Sequence, residues 1–329
     1  MLEKKESKNN FAIKQFLKIS GQNLVLPLYH TLSDKEPIPF IDPIYTPRSV
    51  ETFSEDLNYF LANFKAVSLR DVLVKIETKT NFEEPSFHIS FDDGLKTFYT
   101  KARPILKEKN ISATCFLNND FIDNKNLFYR YKVALMCSLL VNDELKLENI
   151  ESKSFESAQE ASKYLLSLKF KDNTEIDKIA KAIGLDFDRF LKNEQPYLST
   201  AEIKEMITEG FTFGAHSLSH ENFEDLSTEE QLSNLKSSMN DVQKRFDLDY
   251  KAFAFPFTDH GVKAEFFAKA KDIIDVSFGT AGLKKRDYGF HLQRLPMEKT
   301  ALSAKALIQS EYLYYFLKMP FGKNRVERK

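Results

Sequence analysis

No charge of either sign predominates in this 329-residue chain: 47 lysine and arginine residues stand against 48 aspartate and glutamate, a formal net charge of −1. Without a basic surplus there is no global field to draw the protein to nucleic acid. Cysteine is scarce. The two present, Cys115 and Cys137, lie in a strand-like and a helix-like apolar run, which predicts packed thiols in a reducing compartment rather than a disulfide. Long hydrophobic runs are missing as well. The longest, VALMCSLLV at 133–141, falls well short of the roughly 20 residues that span a bilayer. The opening MLEKKESKNNFAIKQFLKISGQ has neither an extended apolar stretch nor a small-residue cleavage site. No signal peptide is expected, and the chain reads as soluble and cytoplasmic.

What is present is alternation. NLVLPLYH (23–30) reads as a buried strand, and SVETFSEDLNYFLANF (49–64) places Val50, Phe53, Leu57, Phe60, Leu61 and Phe64 at helical spacing behind Ser49 as N-cap. AVSL and SFHISF read as strands, LKTFYTKARPILKEKN as a helix closed by Asn110, and ISATCFL (111–117) as another strand. Residues 121–198 break the rhythm with several Lys-, Glu- and Leu-rich helices. Ser199 and Glu202 then form a capping-box pattern, and alternation resumes through FTFGAHS, YKAFAFPF, DVSFGTA and FHLQRLPM to a closing helix. Such spacing predicts parallel β/α units, either a barrel or a wound sheet, in one domain with a helical insertion at 121–198.

Three stretches carry chemistry. SFDDG sets Asp92 and Asp93 side by side at a strand end, where barrels and wound sheets place their reactive groups. Two buried carboxylates repel each other unless something positive holds them. Taken alone, Asp-Gly is equally a solvated turn. GAHSLSH puts His216 and His220 four apart, on one side if the segment winds into a turn. One carboxylate and two imidazoles make a normal three-ligand set for a catalytic divalent metal. A metal would hold one aspartate and leave its neighbour free as a base. The third stretch, AFAFPFTDHG (252–261), ends a Phe-rich strand at Pro256, and Phe257 keeps an N–H able to face a site. By itself it is as readily a buried strand reaching a loop.

Together, SFDDG, HSLSH and FAFPF resemble the polysaccharide deacetylase family, the NodB-homology carbohydrate esterases. The early LPLYHTLS, PILKEKNISATCFL and the late SFGTAG and QRLPME are similar to the surroundings of those motifs in bacterial members. The resemblance implies a distorted (β/α) barrel of seven strands over 23–300, interrupted by the 121–198 insertion and followed by a C-terminal helix and basic tail at 301–329. It implies a metal-dependent hydrolase that removes an N- or O-acetyl group from a sugar. Carried onto this sequence, Asp92 becomes the catalytic base. Asp93, His216 and His220 become ligands of a divalent metal, zinc first, with cobalt, nickel or manganese as alternatives. The Phe257 N–H becomes an oxyanion donor.

Several departures accompany this. Ala254 stands where many members carry an Arg that orients the catalytic Asp, no tryptophan exists for the fourth motif, and the late Leu-x-His that supplies the general acid is not evident. Arg294 is the candidate replacement for the missing Arg. His291 is the nearest candidate acid in sequence, although its odd offset from Arg294 puts the two on opposite faces of a regular strand. Asp275 is a weak match to the fourth-motif Asp. His30 either faces the pocket or is a satisfied buried histidine, His88 is expected in the core, and His260 is expected to be exposed in a loop. The favoured substrate is an acetylated sugar or lipid-linked oligosaccharide of a surface-polysaccharide or glycolipid precursor. The alternative is a catalytically impaired barrel serving as a sugar-binding or scaffold protein. From Lys318 onward five basic residues and one acid follow a Tyr- and Phe-rich segment. That composition predicts peripheral contact with the inner membrane surface, lost on deleting 321–329 without unfolding the barrel, against the alternative of a packed helix with a solvated tail.

Overall fold

The computed structural model describes residues 15–17, 19–34, 36–141 and 155–328. The leader-free reading of the first residues therefore falls mostly outside the described residues, as does 142–154 of the expected insertion. Parallel strands β1 (Pro27–Tyr29), β2 (Ile89–Phe91), β3 (Ala113–Leu117), β4 (Thr212–Ala215), β5 (Ala252–Ala254), β6 (Val276–Gly279), β7 (His291–Gln293) and β8 (Leu295–Pro296) form one sheet. Its spatial order is β7-β6-β5-β4-β3-β2-β1-β8. The two edges are consecutive in sequence. β7 and β8 are halves of one strand parted by Arg294: the first pairs with β6, Phe278 against Leu292, and the second with β1, Leu295 against Pro27. The sheet thus closes on itself as a seven-stranded (β/α) barrel.

Two strands predicted as continuous runs are divided in the same way. Leu24–Val25 and Ser86–Phe87 pair with each other, and Lys65–Ala66 pairs with the latter, in a small outer sheet; the chain then enters the barrel as β1 and β2. Helices cover the barrel. Helix α1 (Val50–Asn63) starts where Ser49 accepts from the Thr52 N–H, so the expected cap is present. α2 (Leu69–Glu77) follows, and α3 (Arg103–Glu108) is preceded by a π-helical turn at Phe98–Ala102 rather than continuing one regular helix. Between β3 and β4 lie α4 (Tyr129–Val141), α5 (Ala158–Ser167), α6 (Asn173–Ala182) and α7 (Phe187–Glu194), and then α8 (Thr200–Thr208) with the Ser199–Glu202 capping box formed. The α4–α6 helices bury their own cluster around Met136, Leu165, Ile176 and Ile179. α9 (Thr228–Phe246), α10 (Ala264–Ala270) and α11 (Ala304–Lys318) complete the layer.

Alternation along the strands assigns His88, Ser90 and Asp92 to the interior. The lowest of these, His88, is buried and satisfied by Val67 O (2.8 Å) and Thr114 Oγ1 (2.7 Å), a core residue as predicted. One level higher, Phe116 and Phe278 face each other with ring centroids 5.3 Å apart. Gly214 makes room for the Phe116 ring, because a Cβ there would lie 2.7 Å from it and against Ala252 O. Cys115 and Cys137 are free and buried.

Residues 317–323, Arg325 and Glu327 are exposed, and only towards its end does the tail return to the body of the protein. Arg328 folds back with its side chain only 4% exposed. It pairs with Asp259 Oδ2 (2.5 Å) and Asp287 (2.7 Å), donates to Asp259 O (2.6 Å), and lies 4.2 Å over the Phe267 ring. One basic group of the tail is therefore committed inside the protein, while Lys318, Lys323, Arg325, Leu317 and Phe321 remain exposed. No helix among the described residues is long and apolar enough to cross a membrane. Deleting 321–329 would remove a buried charge partner, so the barrel should be weakened. Arg328→Ala is expected to lower stability by about 3 kcal/mol, the lower end for a broken buried pair, because His291 and Gln293 still contact Asp259. Urea unfolding checks this; an unchanged midpoint would place Arg328 outside the folded body.

Candidate active site

β2 ends at Phe91, and the two carboxylates follow. In an extended chain they would point to opposite sides. Here Asp93 adopts φ 69° and Gly94 φ 65°, so the chain turns sharply and both carboxylates line one pocket. Left-handed backbone at a non-glycine residue costs on the order of 1–3 kcal/mol and persists where the surroundings enforce it. His220 and Phe257, which line the same pocket, and Ser217 share the left-handed conformation.

His216 leaves the end of β4 with its N–H on Leu117 O (2.8 Å). The segment to His220 is a bend with two left-handed residues, Ser217 and His220, rather than a helical turn. The His220 N–H is held by Ser217 Oγ (2.9 Å). The bend still brings the imidazoles together, with ring centroids 4.8 Å apart. Asp93 Oδ1 lies 3.2 Å from His220 Nε2 and 3.5 Å from His216 Nε2. The ligand atoms of the three residues all fall within 4.8 Å of one another, and all three residues are buried. His216 Nδ1 is 2.9 Å from Ala254 O. A carbonyl accepts only, so Nδ1 carries the proton and Nε2 presents a lone pair to the cluster. That nitrogen and Asp93 Oδ1 are buried without any hydrogen-bond partner. Burial pushes the His216 pKa down to about 4, which keeps the imidazole neutral. A carboxylate oxygen and two imidazole nitrogens that converge in one buried cluster suit a divalent cation.

Asp92 is held differently. Arg294 reaches it through a two-pronged ion pair, Nη1 to Oδ1 at 2.7 Å and Nη2 to Oδ2 at 2.8 Å, with both side chains essentially inaccessible. The same guanidinium donates to Ser90 Oγ (3.1 Å) and Gly279 O (3.3 Å), and lies 5.2 Å from the Phe116 ring centroid. Burial would raise the Asp92 pKa, but the Arg294 charge holds it below the usual carboxylate value. Neighbouring aspartates thus face separate partners, the Arg294 guanidinium for Asp92 and the two imidazoles for Asp93.

Phe257 follows Pro256 at φ 55° and packs its ring on His220, centroids 4.5 Å apart. Thr280 Oγ1 donates to Phe257 O (2.9 Å), and the Phe257 N–H has no acceptor among the described residues. His291 lies outside this group. It faces the helix layer, bonding Ser277 Oγ (2.8 Å) and Asp259 (3.1 Å), on the opposite side of its strand from Arg294. Asp275 is exposed and accepts from the Lys251 N–H (2.7 Å), away from the pocket. His260 is exposed.

Sequence reasoning missed two contributions. From the insertion, Tyr131 donates to Asp93 Oδ2 (2.6 Å) and Phe128 packs on His220 at 4.3 Å; nothing in a run of helical aromatics marked them. The other is Glu298. Its Oε2 is 2.5 Å from His30 Nδ1, and its Oε1 accepts from the His30 and Thr31 N–H groups at 2.9 and 3.1 Å. His30 lines the pocket with Asp92 and Asp93. Burial lowers its pKa, but the charge and hydrogen bond of Glu298, with the Asp93 and Asp92 charges, together lift the value to about 9. The pocket is about 210 Å³.

The model of the family described as polysaccharide deacetylase matches residues 79–273. The poly-beta-1,6-N-acetyl-D-glucosamine N-deacetylase of Staphylococcus epidermidis is 28% identical over 106 residues, 30% of this chain and only 37% of that protein. Among solved structures, the Streptococcus pyogenes deacetylase PplD, in complex with acetate, superposes with a TM-score of 0.55 at 16% identity, covering 88% of this chain and 97% of that one. IcaB from Ammonifex degensii gives 0.55 at 13%, covering 88% and 96%. A de-N-acetylase from Aggregatibacter actinomycetemcomitans gives 0.54 at 14%, covering 87% and 99%. At these identities the structural likeness speaks for the fold.

The His30–Glu298 pair yields a pH test. With a folded pKa of about 9 against an ordinary 6.5, the pair's contribution to stability is whole below pH 6.5 and fades as pH rises through 9. Titration of the His30 ring by NMR should show a midpoint well above 7 in the native protein. In Glu298→Gln it should fall, since only the Asp93 and Asp92 charges then oppose burial. A native midpoint at or below 6.5 would contradict the pairing.

Proposed function

The chain belongs to the polysaccharide deacetylase family, and from that premise we propose that it is a metal-dependent hydrolase removing an acetyl group from an N-acetylated sugar. The observation that carries this reading is the division of labour between Asp92 and Asp93, one clamped by Arg294 and the other facing two imidazoles. Asp93, His216 and His220 would hold the divalent metal, zinc being the natural occupant of such a donor set. When bound, the metal supplies Lewis-acid polarisation of the acetyl carbonyl and acidifies the attacking water.

The remaining steps belong to the chain. Asp92, kept ionised and oriented by Arg294, takes the proton from water as its oxygen bonds to the carbonyl carbon. The unpartnered Phe257 N–H donates to the oxyanion that develops. The C–N bond then breaks, acetate leaves, and the amine nitrogen needs a proton. His30 is the proposed donor, an imidazolium at neutral pH that faces the pocket while Glu298 holds Nδ1. The apolar walls from Phe128, Tyr45 and Phe257 suit the acetyl methyl. The absence of Arg at 254 no longer favours the reading of an impaired sugar-binding barrel, because Arg294 contacts Asp92 from another strand. Action in the cytoplasm on a precursor of surface polysaccharide or glycolipid is part of the same proposal, and cell fractionation addresses it.

Metal content of purified variants, measured by inductively coupled plasma, is the central test. Asp93→Asn, His216→Ala and His220→Ala should each lose metal and acetate release together. Asp92→Asn and His30→Gln should keep the metal while acetate release falls on the order of 10²–10⁴-fold, the usual span for one acid–base group. Full metal in Asp93→Asn, or lost metal in Asp92→Asn, would reverse the two roles.

A further inference from the structure

Charge accounting around the pocket leaves a remainder. Asp92 is matched by Arg294, Glu298 by His30, and Asp93 would be matched by the divalent metal that it would hold with His216 and His220. Two further ionised side chains line the same cavity, Arg130 at the start of α4 and Lys299 just after Glu298. Both are cations, and neither forms an ion pair among the described residues. Arg130 is half-buried, its guanidinium 5.8 Å from the centroid of the Phe257 ring, which holds it at the pocket wall without neutralising it. Lys299 is exposed at the mouth.

We infer that this pocket selects an acetylated amino sugar with an anionic group, phosphate or carboxylate, next to the acetamido-bearing ring, and that Arg130 and Lys299 determine that preference. The inference rests on the deacetylase reading and names its substrate class. De-N-acetylation leaves an ammonium on the sugar. Two uncompensated cations at the mouth repel a substrate whose neighbouring residues are already deacetylated, whereas a neighbouring anion is attracted into a partly desolvated site. A neutral homopolymer that becomes cationic as it is processed is thus a poor match. A planar guanidinium fixed on a ring is also pre-organised for two-pronged contact with phosphate or carboxylate. Arg130 comes from the insertion, so the insertion would set specificity while the barrel sets chemistry.

Binding separates the two claims. Calorimetry on the Asp92→Asn protein would compare a neutral N-acetylglucosamine tetramer with N-acetylglucosamine 1-phosphate and with a glucuronate-containing N-acetylglucosamine tetramer. At least one acidic ligand should bind ten times more tightly than the neutral tetramer at low salt. That ratio should shrink as salt rises, because exposed charges are screened within about 8 Å at 0.15 M. Whichever acidic ligand binds identifies phosphate or carboxylate as the recognised group. In Arg130→Gln with Lys299→Gln the ratio should fall towards one, and Arg130→Lys should restore part of it, which a merely structural residue would not do. Equal or tighter binding of the neutral tetramer, or a ratio unchanged in the double variant, would overturn the inference. Acetate release by the unmodified protein is read separately, and its failure on every ligand counts against the hydrolase reading instead.

Discussion

Arg294 and Asp92 meet inside the barrel with both side chains out of water, and much of the architecture serves to keep that pair intact. A buried carboxylate left unpaired is costly, and so is a buried guanidinium. Arg294 is accommodated because Gly214 admits the Phe116 ring, because Phe116 and Phe278 flank the guanidinium, and because Ser90 and Gly279 each accept one further hydrogen from it. It also sits at the point where the last strand changes partners, from β6 to β1. The residue that neutralises the proposed base is therefore also the residue at which the barrel closes.

Around that pair the loops are held in unfavourable backbone. Asp93, Ser217, His220 and Phe257 all have positive φ, and each is locked by a contact. Tyr131 holds the Asp93 carboxylate, the Ser217 hydroxyl holds the His220 N–H, and Thr280 holds the Phe257 carbonyl. Local strain of this kind is maintained by tertiary packing and places side chains where regular strands cannot. The insertion takes part directly, since Phe128 and Tyr131 touch His220 and Asp93. The tail does so from the outside, where Arg328 ties Asp259, two residues past Phe257, to Asp287.

The readable part of the sequence was the part governed by short-range periodicity and by residue types that have few alternative uses. Alternation of β and α segments, the caps at Ser49 and Ser199, the core placement of His88 and the outward face of His291 all follow from spacing along one element. The DDG and HSLSH stretches supplied the reactive groups, because carboxylates and imidazoles at strand ends have few structural uses. Parity alone separated Arg294 from His291.

What only the tertiary structure decided are the encounters between residues far apart in the chain. Arg294 meets Asp92 across 202 positions and Glu298 meets His30 across 268. Tyr131 reaches Asp93 from a helical insertion whose sequence reads simply as helix. The division of three apparent strands at Leu26, His88 and Arg294 belongs here too, since a strand changes partners only where neighbouring strands stop matching it. The basic tail is the sharpest case: composition marks Arg328 as solvated, and the position of Asp259 and Asp287 buries it. The sequence by itself determined the chemistry available and the class of fold, because both reside in local pattern. Pairing of charges was decided by closure of the barrel, which brings together groups that no local pattern relates.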